Sequence, residues 1–380
     1  MYASKAFLPL TKSFHGSARR ALSTSTPTVA LKELDSLHQG HKFAKVPHRH
    51  LLEMDGPDSA KFLQGLITNH MPLISAGGDG FYTAFLTPQG RTLYDAFVYP
   101  VNAGENFPHQ KYILDFSAIE GRSLLKHLKL YLLRSKIKIR DVTNDYSLYH
   151  LWGSSPPPPP IKSATPDVPT PAGTLIKKTS RWSDIGCVDP RVPGFGYRAV
   201  IPNDQDVHSM LPSNEYSELP SEEYTIRRLL QGIPEGPDDI WPEQSLPLES
   251  NIDYMNGVDF RKGCYVGQEL TIRTYHTGVV RKRIVPVQFY KEGESVPDTQ
   301  FVDRKIQLPD TYQCQSDIRL ANGSSKRGVG KTCSGVHNIG LSLMRLEHVE
   351  KAVAGEPVGF KIDNSDLLLR PFLPSWWPSS

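Results

Sequence analysis

Between Ser154 and Gly173 the chain sets five prolines in a row, Pro156 to Pro160, and adds Pro166, Pro169 and Pro171. A proline has no backbone N–H and a fixed φ, so this stretch can run neither through a helix interior nor as a central strand. Strand-like sequence resumes at once with Thr174 to Lys178. Residues 151–173 therefore read as an extended surface insert, not as an interdomain linker or a partner's ligand.

At 380 residues the chain is too long for one small core. Before the insert, Leu51 to Asp58 reads as a strand and turn into a helix opened by Asp58, with Phe62, Leu63, Leu66 and Ile67 as its apolar stripe. Gly80 to Leu86, the turn Thr87-Pro88-Gln89-Gly90 and Arg91 to Val101 read as a hairpin. Tyr112 to Phe116 reads as a strand and Gly121 to Leu133 as a helix. After the insert, Tyr224 to Gln231 reads as a helix closed by Gly232. From Arg281 onward short alternating strands at Ile284 to Val287, Lys305 to Leu308 and Gly340 to Leu343 mark a separate small β domain. The expected division is an α+β lobe at 29–150, a second lobe at 174–280 and the β domain at 281–375.

The formal net charge of +3 belongs to the first residues, since Lys5, Lys12, Arg19, Arg20 and Lys32 all precede the first acid, Glu33. Without those five bases the remaining 38 Lys and Arg face 40 Asp and Glu. A general nucleic-acid-binding surface is disfavoured. Residues 1–28 are rich in Ser and Thr, basic and free of acids, with Phe7, Leu8, Leu10 and Phe14 interleaved among the charges. That pattern fits a mitochondrial transit peptide and a matrix location. No apolar run approaches the roughly 20 residues a membrane span needs. The four cysteines, Cys187, Cys264, Cys314 and Cys333, form no C-x-x-C pair, so a disulfide framework or a self-contained metal site is not expected.

Chemistry concentrates in Lys262-Gly263-Cys264-Tyr265-Val266-Gly267-Gln268-Glu269, which puts one thiol where a loop becomes a helix. A helix start and the charge of Lys262 both favour thiolate, and Cys264 and Gln268 would share a helical face. Gly263 would relieve crowding in the turn. Whether the thiol meets iron, a ligand or only solvent stays open at this level.

The landmarks together resemble the folate-binding superfamily built around the glycine-cleavage T-protein, and within it the YgfZ-type and mitochondrial iron–sulfur assembly factors of the Iba/Caf group. The matching pieces are Phe62 to Gly65 with Thr68-Asn69, Leu86 to Arg91 with Asp95, Asp189-Pro190-Arg191 with Gly196-Tyr197-Arg198, Gly232 to Gly236, Leu246 to Glu249, Lys262 to Glu269 and Arg281 to Arg283. The resemblance implies α+β lobes and a C-terminal β-barrel around a central cavity that admits tetrahydrofolate. It also implies a role in maturing 4Fe–4S proteins, in which Cys264 could ligate a cluster only together with cysteines of an A-type carrier protein. A pterin needs a carboxylate, a ring to stack on, and cations for its glutamate tail. The candidates are Glu249, Asp259 and Glu269; Tyr82, Tyr197 and Tyr265; and Arg91, Arg198 and Arg273.

A folate-dependent one-carbon transferase is the second reading, with Asp95 or Glu269 as proton acceptor. Against it, T-proteins carry paired acids where this chain has Gly90-Arg91-Thr92-Leu93-Tyr94-Asp95, and an acid where it has Arg198. A guanidinium accepts no hydrogen bond and does not titrate. RNA binding or modification through Arg273, His276, Arg281, Lys282 and Arg283 is a third reading.

Overall fold

The computed structural model describes residues 40–75, 77–101, 110–153, 168–169, 175–176, 183–211, 215–321 and 328–378. The expected leader and most of the proline insert lie outside them. At the end of the insert Val168–Pro169 pairs with Leu175–Ile176.

The described chain opens with β1 (His41–Lys45), then lays down β2 (Arg49–Asp55), α1 (Ser59–Gln64), β3 (Phe81–Leu86), β4 (Thr92–Pro100), β5 (Lys111–Ser117), α2 (Leu124–Tyr131) and β6 (Lys138–Asp141). Strands β3, β4, β5, β2 and β6 join in that order into an antiparallel sheet. Next come β7 (Tyr146–Trp152), β8 (Ile185–Val188), β9 (Tyr197–Pro202), the one-turn α3 (Val207–Met210) and β10 (Tyr216–Glu218). These form a second sheet, ordered β8-β9-β7-β1-β10. Strands β1 and β7, from the stretch read as the first lobe, thus belong to the second sheet, and the expected boundary at 150 falls inside β7.

Strand alternation decides which residues meet between the sheets. In the first sheet Leu52, Met54, Tyr94, Val98 and Leu114 pack under Phe62 and Leu63 of α1 and Leu124 and Leu128 of α2. Their neighbours Leu51, Tyr82, Phe97, Tyr99 and Ile113 point the other way, onto Leu148, Trp152, Cys187 and Val200 of the second sheet. The outer side of the second sheet, with Phe43, Leu151, Tyr197 and Ile201, is closed by Val207 of α3 and by Leu211.

Helix α4 (Ser221–Leu230) presents Tyr224 to the space between the sheets and Ile226, Leu229 and Leu230 to the third body. At its end Gly232 takes φ +69, and a Cβ there would meet Pro374 Cγ at 2.8 Å and Pro286 Cδ at 2.9 Å. Only glycine lets the chain turn under the prolines. After α5 (Gln268–Thr277) the strands β11 (Lys282–Lys291), β12 (Asp317–Leu320), β13 (Gly330–Val336), β14 (Ile339–Arg345), β15 (Phe360–Ile362) and β16 (Leu367–Pro371) close a barrel ordered β11-β14-β13-β12-β15-β16, with α6 (Leu346–Val353) packed on it. The expected α+β class and C-terminal barrel are what the structure has.

Three local readings change. Lys305 to Leu308 is a loop, because Asp303 closes a turn through bonds to the backbone N–H groups of Lys305 and Ile306. Ser123 caps α2 by accepting from Lys126 N, which starts that helix three residues later than expected. The Asp58 carboxylate accepts from Lys136 N at 2.7 Å and does not cap α1.

Candidate functional site

Between the two sheets lies a seam of buried charge. The strand positions facing inward carry Arg49, Asp95, Asp115 and Arg198, and the loops add Asp189, Arg191 and Glu235. Arg49 bridges Asp115, Asp95 and the Ser117 hydroxyl. Arg198 donates to Asp115 at 2.7 Å, Tyr99 at 3.1 Å and Tyr224 at 2.9 Å, and its guanidinium lies 4.1 Å from the centre of the Phe97 ring. Arg191 chelates Asp189 and donates to Glu235 and Tyr224. Three guanidiniums, Arg49, Arg191 and Arg198, thus face the four carboxylates Asp95, Asp115, Asp189 and Glu235, while the buried Arg227 lies over the Phe195 and Trp152 rings and donates to Gly194 O. Such a set is tolerated in a low-dielectric interior only when charges and hydrogen bonds match.

Titration behaviour follows from that balance. Burial pushes Glu235 up, but Arg191, Arg49 and Arg198 outweigh it and hold the carboxylate well below its usual range. Asp189 is held low in the same way, chiefly by Arg191. Asp95 runs oppositely: burial pushes it up, and Arg49 only partly offsets this. His150, fully buried 3.6 Å from Asp189, is driven down to about 3 by burial.

The octapeptide lies on a different surface and is built from two sequence motifs at once. Lys262 sends its ammonium into three carbonyls at and beyond the end of α1, Gln64 at 2.9 Å, Ile67 at 2.6 Å and Asn69 at 2.8 Å. Nearby, Val266 N donates to Gly65 O, Asp259 N to Thr68 O, and the Asn69 amide to Asn256 O. The segment from Phe62 to Asn69 is therefore the bed on which the thiol loop is laid. Tyr265 is buried under Lys262, whose Nζ sits 4.7 Å from the ring centre. Burial pulls Lys262 down to about 7, against Asp259. Pinned on both sides, Cys264 itself is exposed.

This geometry corrects the expected electrostatics of the thiol. Helix α5 begins at Gln268, behind a left-handed Gly267 at φ +80, so Cys264 stands four residues ahead of the helix and shares no helical face with Gln268. Gln268 instead accepts from Tyr265 N at 3.2 Å. The Lys262 charge is spent on carbonyls. Gly263 has open space around it and relieves no crowding, whereas a Cβ on Gly267 would strike Thr87 O and one on Gly90 would meet Gly267 O at 2.9 Å. The glycine the turn requires is Gly267, pressed on the β3–β4 hairpin tip.

The folate candidates do not converge. Tyr82, Asp95 and Arg198 are sealed in the seam, Tyr197 faces the outer side of its sheet, and Tyr265 is buried beneath Lys262. Arg91 donates to Gln244 O, Asp259 accepts from Arg261 N, and Glu269 and Arg273 are exposed on α5. Glu249 alone of them lines a groove of about 470 Å³ between α5 and the barrel, with Leu246, Pro247, Leu270, Val279, Arg281 and Lys282. Sequence reasoning missed Arg49, Asp115 and Tyr224; of these only Asp115 carried a signal, a carboxylate inside the apolar run from Tyr112 to Phe116. Arg283 is also buried, bidentate to Asp253 and 3.6 Å from the Tyr254 ring centre, and Lys282 pairs with Glu249. Two of the five residues of the expected basic cluster are thereby engaged, while Arg273, His276 and Arg281 are exposed.

Residues 281–379 match a family model described as the C-terminal β-barrel domain of CAF17. A protein of Aspergillus fumigatus named "Iron-sulfur cluster assembly factor IBA57 homolog, mitochondrial" is 43% identical over 323 residues, covering 80% of this chain and 70% of the relative. One of Mycosarcoma maydis with the same name is 36% identical over 381 residues, covering 92% and 88%. The chain belongs to this family. Among solved structures it is similar to the glycine cleavage system aminomethyltransferase T from Bartonella henselae, with a TM-score of 0.61 at 12% identity, covering 91% of this chain and 89% of that one. At that identity the likeness establishes a shared fold: this chain has a lobe-and-barrel frame like that of the aminomethyltransferase.

Proposed function

We propose that this chain helps mature 4Fe–4S proteins in the mitochondrial matrix by lending Cys264 as one thiolate ligand to a cluster whose other ligands come from an A-type carrier protein. The observation that carries the reading is an exposed thiol on a loop fixed by Lys262 and Tyr265. Among the described residues no group of three His, Cys, Asp or Glu side chains could hold a metal. One thiolate binds iron weakly and reversibly, which suits transfer better than storage. On coordination the thiol releases its proton to solvent and the sulfur binds iron, with no change of oxidation state. The rigid loop supplies preorganisation in place of helix-dipole activation. Anaerobic reconstitution with a purified A-type carrier tests this: the native chain should give a bridged complex with cluster absorbance and the matching mass, and Cys264→Ser should give neither. An unchanged cluster in the Ser variant removes the ligand role.

The groove beside α5 fits a reduced folate better than the seam does. Its bed of Leu246, Pro247, Leu270 and Val279 suits a ring, Glu249 can accept from ring N–H groups, and Arg281 and Arg345 offer charge to a glutamate tail. A bound folate would supply a one-carbon carrier, yet the proposed bases are ill placed to serve it. Asp95 is occupied by Arg49 and Gly236 N, and Glu269 is exposed on α5. We therefore favour binding without turnover. Calorimetric titration with tetrahydrofolate should give heat in the native chain and little in Glu249→Gln; equal heats would exclude the groove.

A further inference from the structure

The thiol does not stand alone on its surface. Phe260, four residues before Cys264, stacks on Tyr275 of α5 with ring centres 3.6 Å apart and planes 12° from parallel. Tyr275 is 51% exposed. At the other end of the loop Tyr265 N donates to Gln268, so the loop runs along α5 between two contacts. These lie seven residues apart on the helix, about 10 Å at 1.5 Å per residue. Ile272, half-buried, falls between them on the same side, and the next stripe carries the exposed Arg273 and His276, while Arg261 is exposed on the loop itself. The exposed Tyr275 on its half-buried partner Phe260, an aliphatic neighbour and two arginines thus flank the thiol loop.

We propose that the Phe260–Tyr275 stack, with Ile272 and the flanking Arg261 and Arg273, is the docking face for the protein that shares a cluster with Cys264. This rests on the ligand role proposed above and identifies what seats the partner before iron is bound. An exposed tyrosine stacked on a half-buried phenylalanine, with arginine neighbours, has the composition of an interface centre. The complementary surface follows from charge: a cluster with four thiolate ligands is anionic, so the partner brings thiolates in a negatively charged rim that Arg261 and Arg273 meet.

The test measures affinity and association rate between the full chain and a cluster-loaded A-type carrier, with Cys264 alkylation by iodoacetamide and the unfolding midpoint as controls. Tyr275→Ser should weaken affinity at least tenfold with alkylation rate and midpoint unchanged. Arg273→Glu, which leaves the stack intact, should slow association severalfold at low salt and flatten its salt dependence. Affinity within twofold of native in both variants overturns the proposal. So does a loss in Tyr275→Ser matched by faster alkylation, because the stack then only fastens the loop. If Cys264→Ser loses the cluster while Tyr275→Ser binds as native, the docking face fails and the ligand role stands; if Cys264→Ser keeps the cluster, the ligand role falls and this proposal with it.

Discussion

The two glycines of the octapeptide give an internal control on its geometry. Gly267 holds φ +80, and an added Cβ would run into Thr87 O and approach Leu86 Cβ to 2.9 Å and Gly90 Cα to 3.2 Å. The left-handed backbone costs an L residue about 1–2 kcal/mol. Displacing the hairpin tip, whose obstacle is backbone and not a flexible side chain, adds about 1–3 kcal/mol. Gly267→Ala should therefore lose about 2–5 kcal/mol. Gly263 is four residues away, has no positive φ and nothing within 4 Å of its added Cβ. Gly263→Ala should stay within about 0.5 kcal/mol of native, or gain slightly by restricting the unfolded chain. Urea unfolding followed by circular dichroism, with slopes compared so that midpoints can be read as stability, measures both. Equal costs in the two variants, or a Gly267→Ala loss below about 0.5 kcal/mol, would refute the claim that the hairpin tip and the thiol loop are pressed together.

Buried neutral His150 should make stability fall as pH drops from about 6.5 toward 3, because the unfolded chain takes up a proton there that the fold refuses; His150→Gln should flatten that part of the stability–pH curve. Glu235 and Asp189, held low, add stability above about pH 4 that is lost further into acid, so a second, steeper decline should survive in the Gln variant. Arg198→Met would leave Asp115 buried with one cation fewer and should cost about 3–5 kcal/mol in the same unfolding assay; a cost under about 1 kcal/mol would contradict the charge match. Lys262→Met should expose the amides of Asp259 and Val266 to faster hydrogen exchange, and Lys262→Arg should not rescue them, since a planar fork cannot aim three N–H groups from one atom. Native-like protection in the Met variant would show that the loop does not depend on the ammonium.

Periodicity made the frame legible. The β3–β4 hairpin announced itself by strand, Thr87-Pro88-Gln89-Gly90 and strand, and the α4 stop by Gly232, because turn chemistry is local. What could not be read was membership of a sheet. Nothing in His41–Lys45 or Tyr146–Trp152 says that they pair with each other, or that the first goes on to Tyr216–Glu218 and the second to Tyr197–Pro202, since ladder partners are chosen by surfaces far away in sequence. Lys305 to Leu308 alternates like a strand, and the Asp303 turn overrode it.

At the site the same limit separates what was legible from what was not. The exposure of Cys264 was legible because a small, polar-flanked loop is a local pattern. The misplaced cations arose because Arg198 and an exposed arginine look alike in sequence; only the inward side of β9, opposite Asp115 and Tyr99, makes one of them structural. Lys262 is the sharper case. Beside a cysteine a lysine suggests a counter-charge for sulfur, but three carbonyls released by the end of α1 compete for it, and they are nearer and fixed. Engaging the charge there turns an electrostatic aid into a mechanical one: the lysine holds the loop, and the sulfur stays exposed beside it.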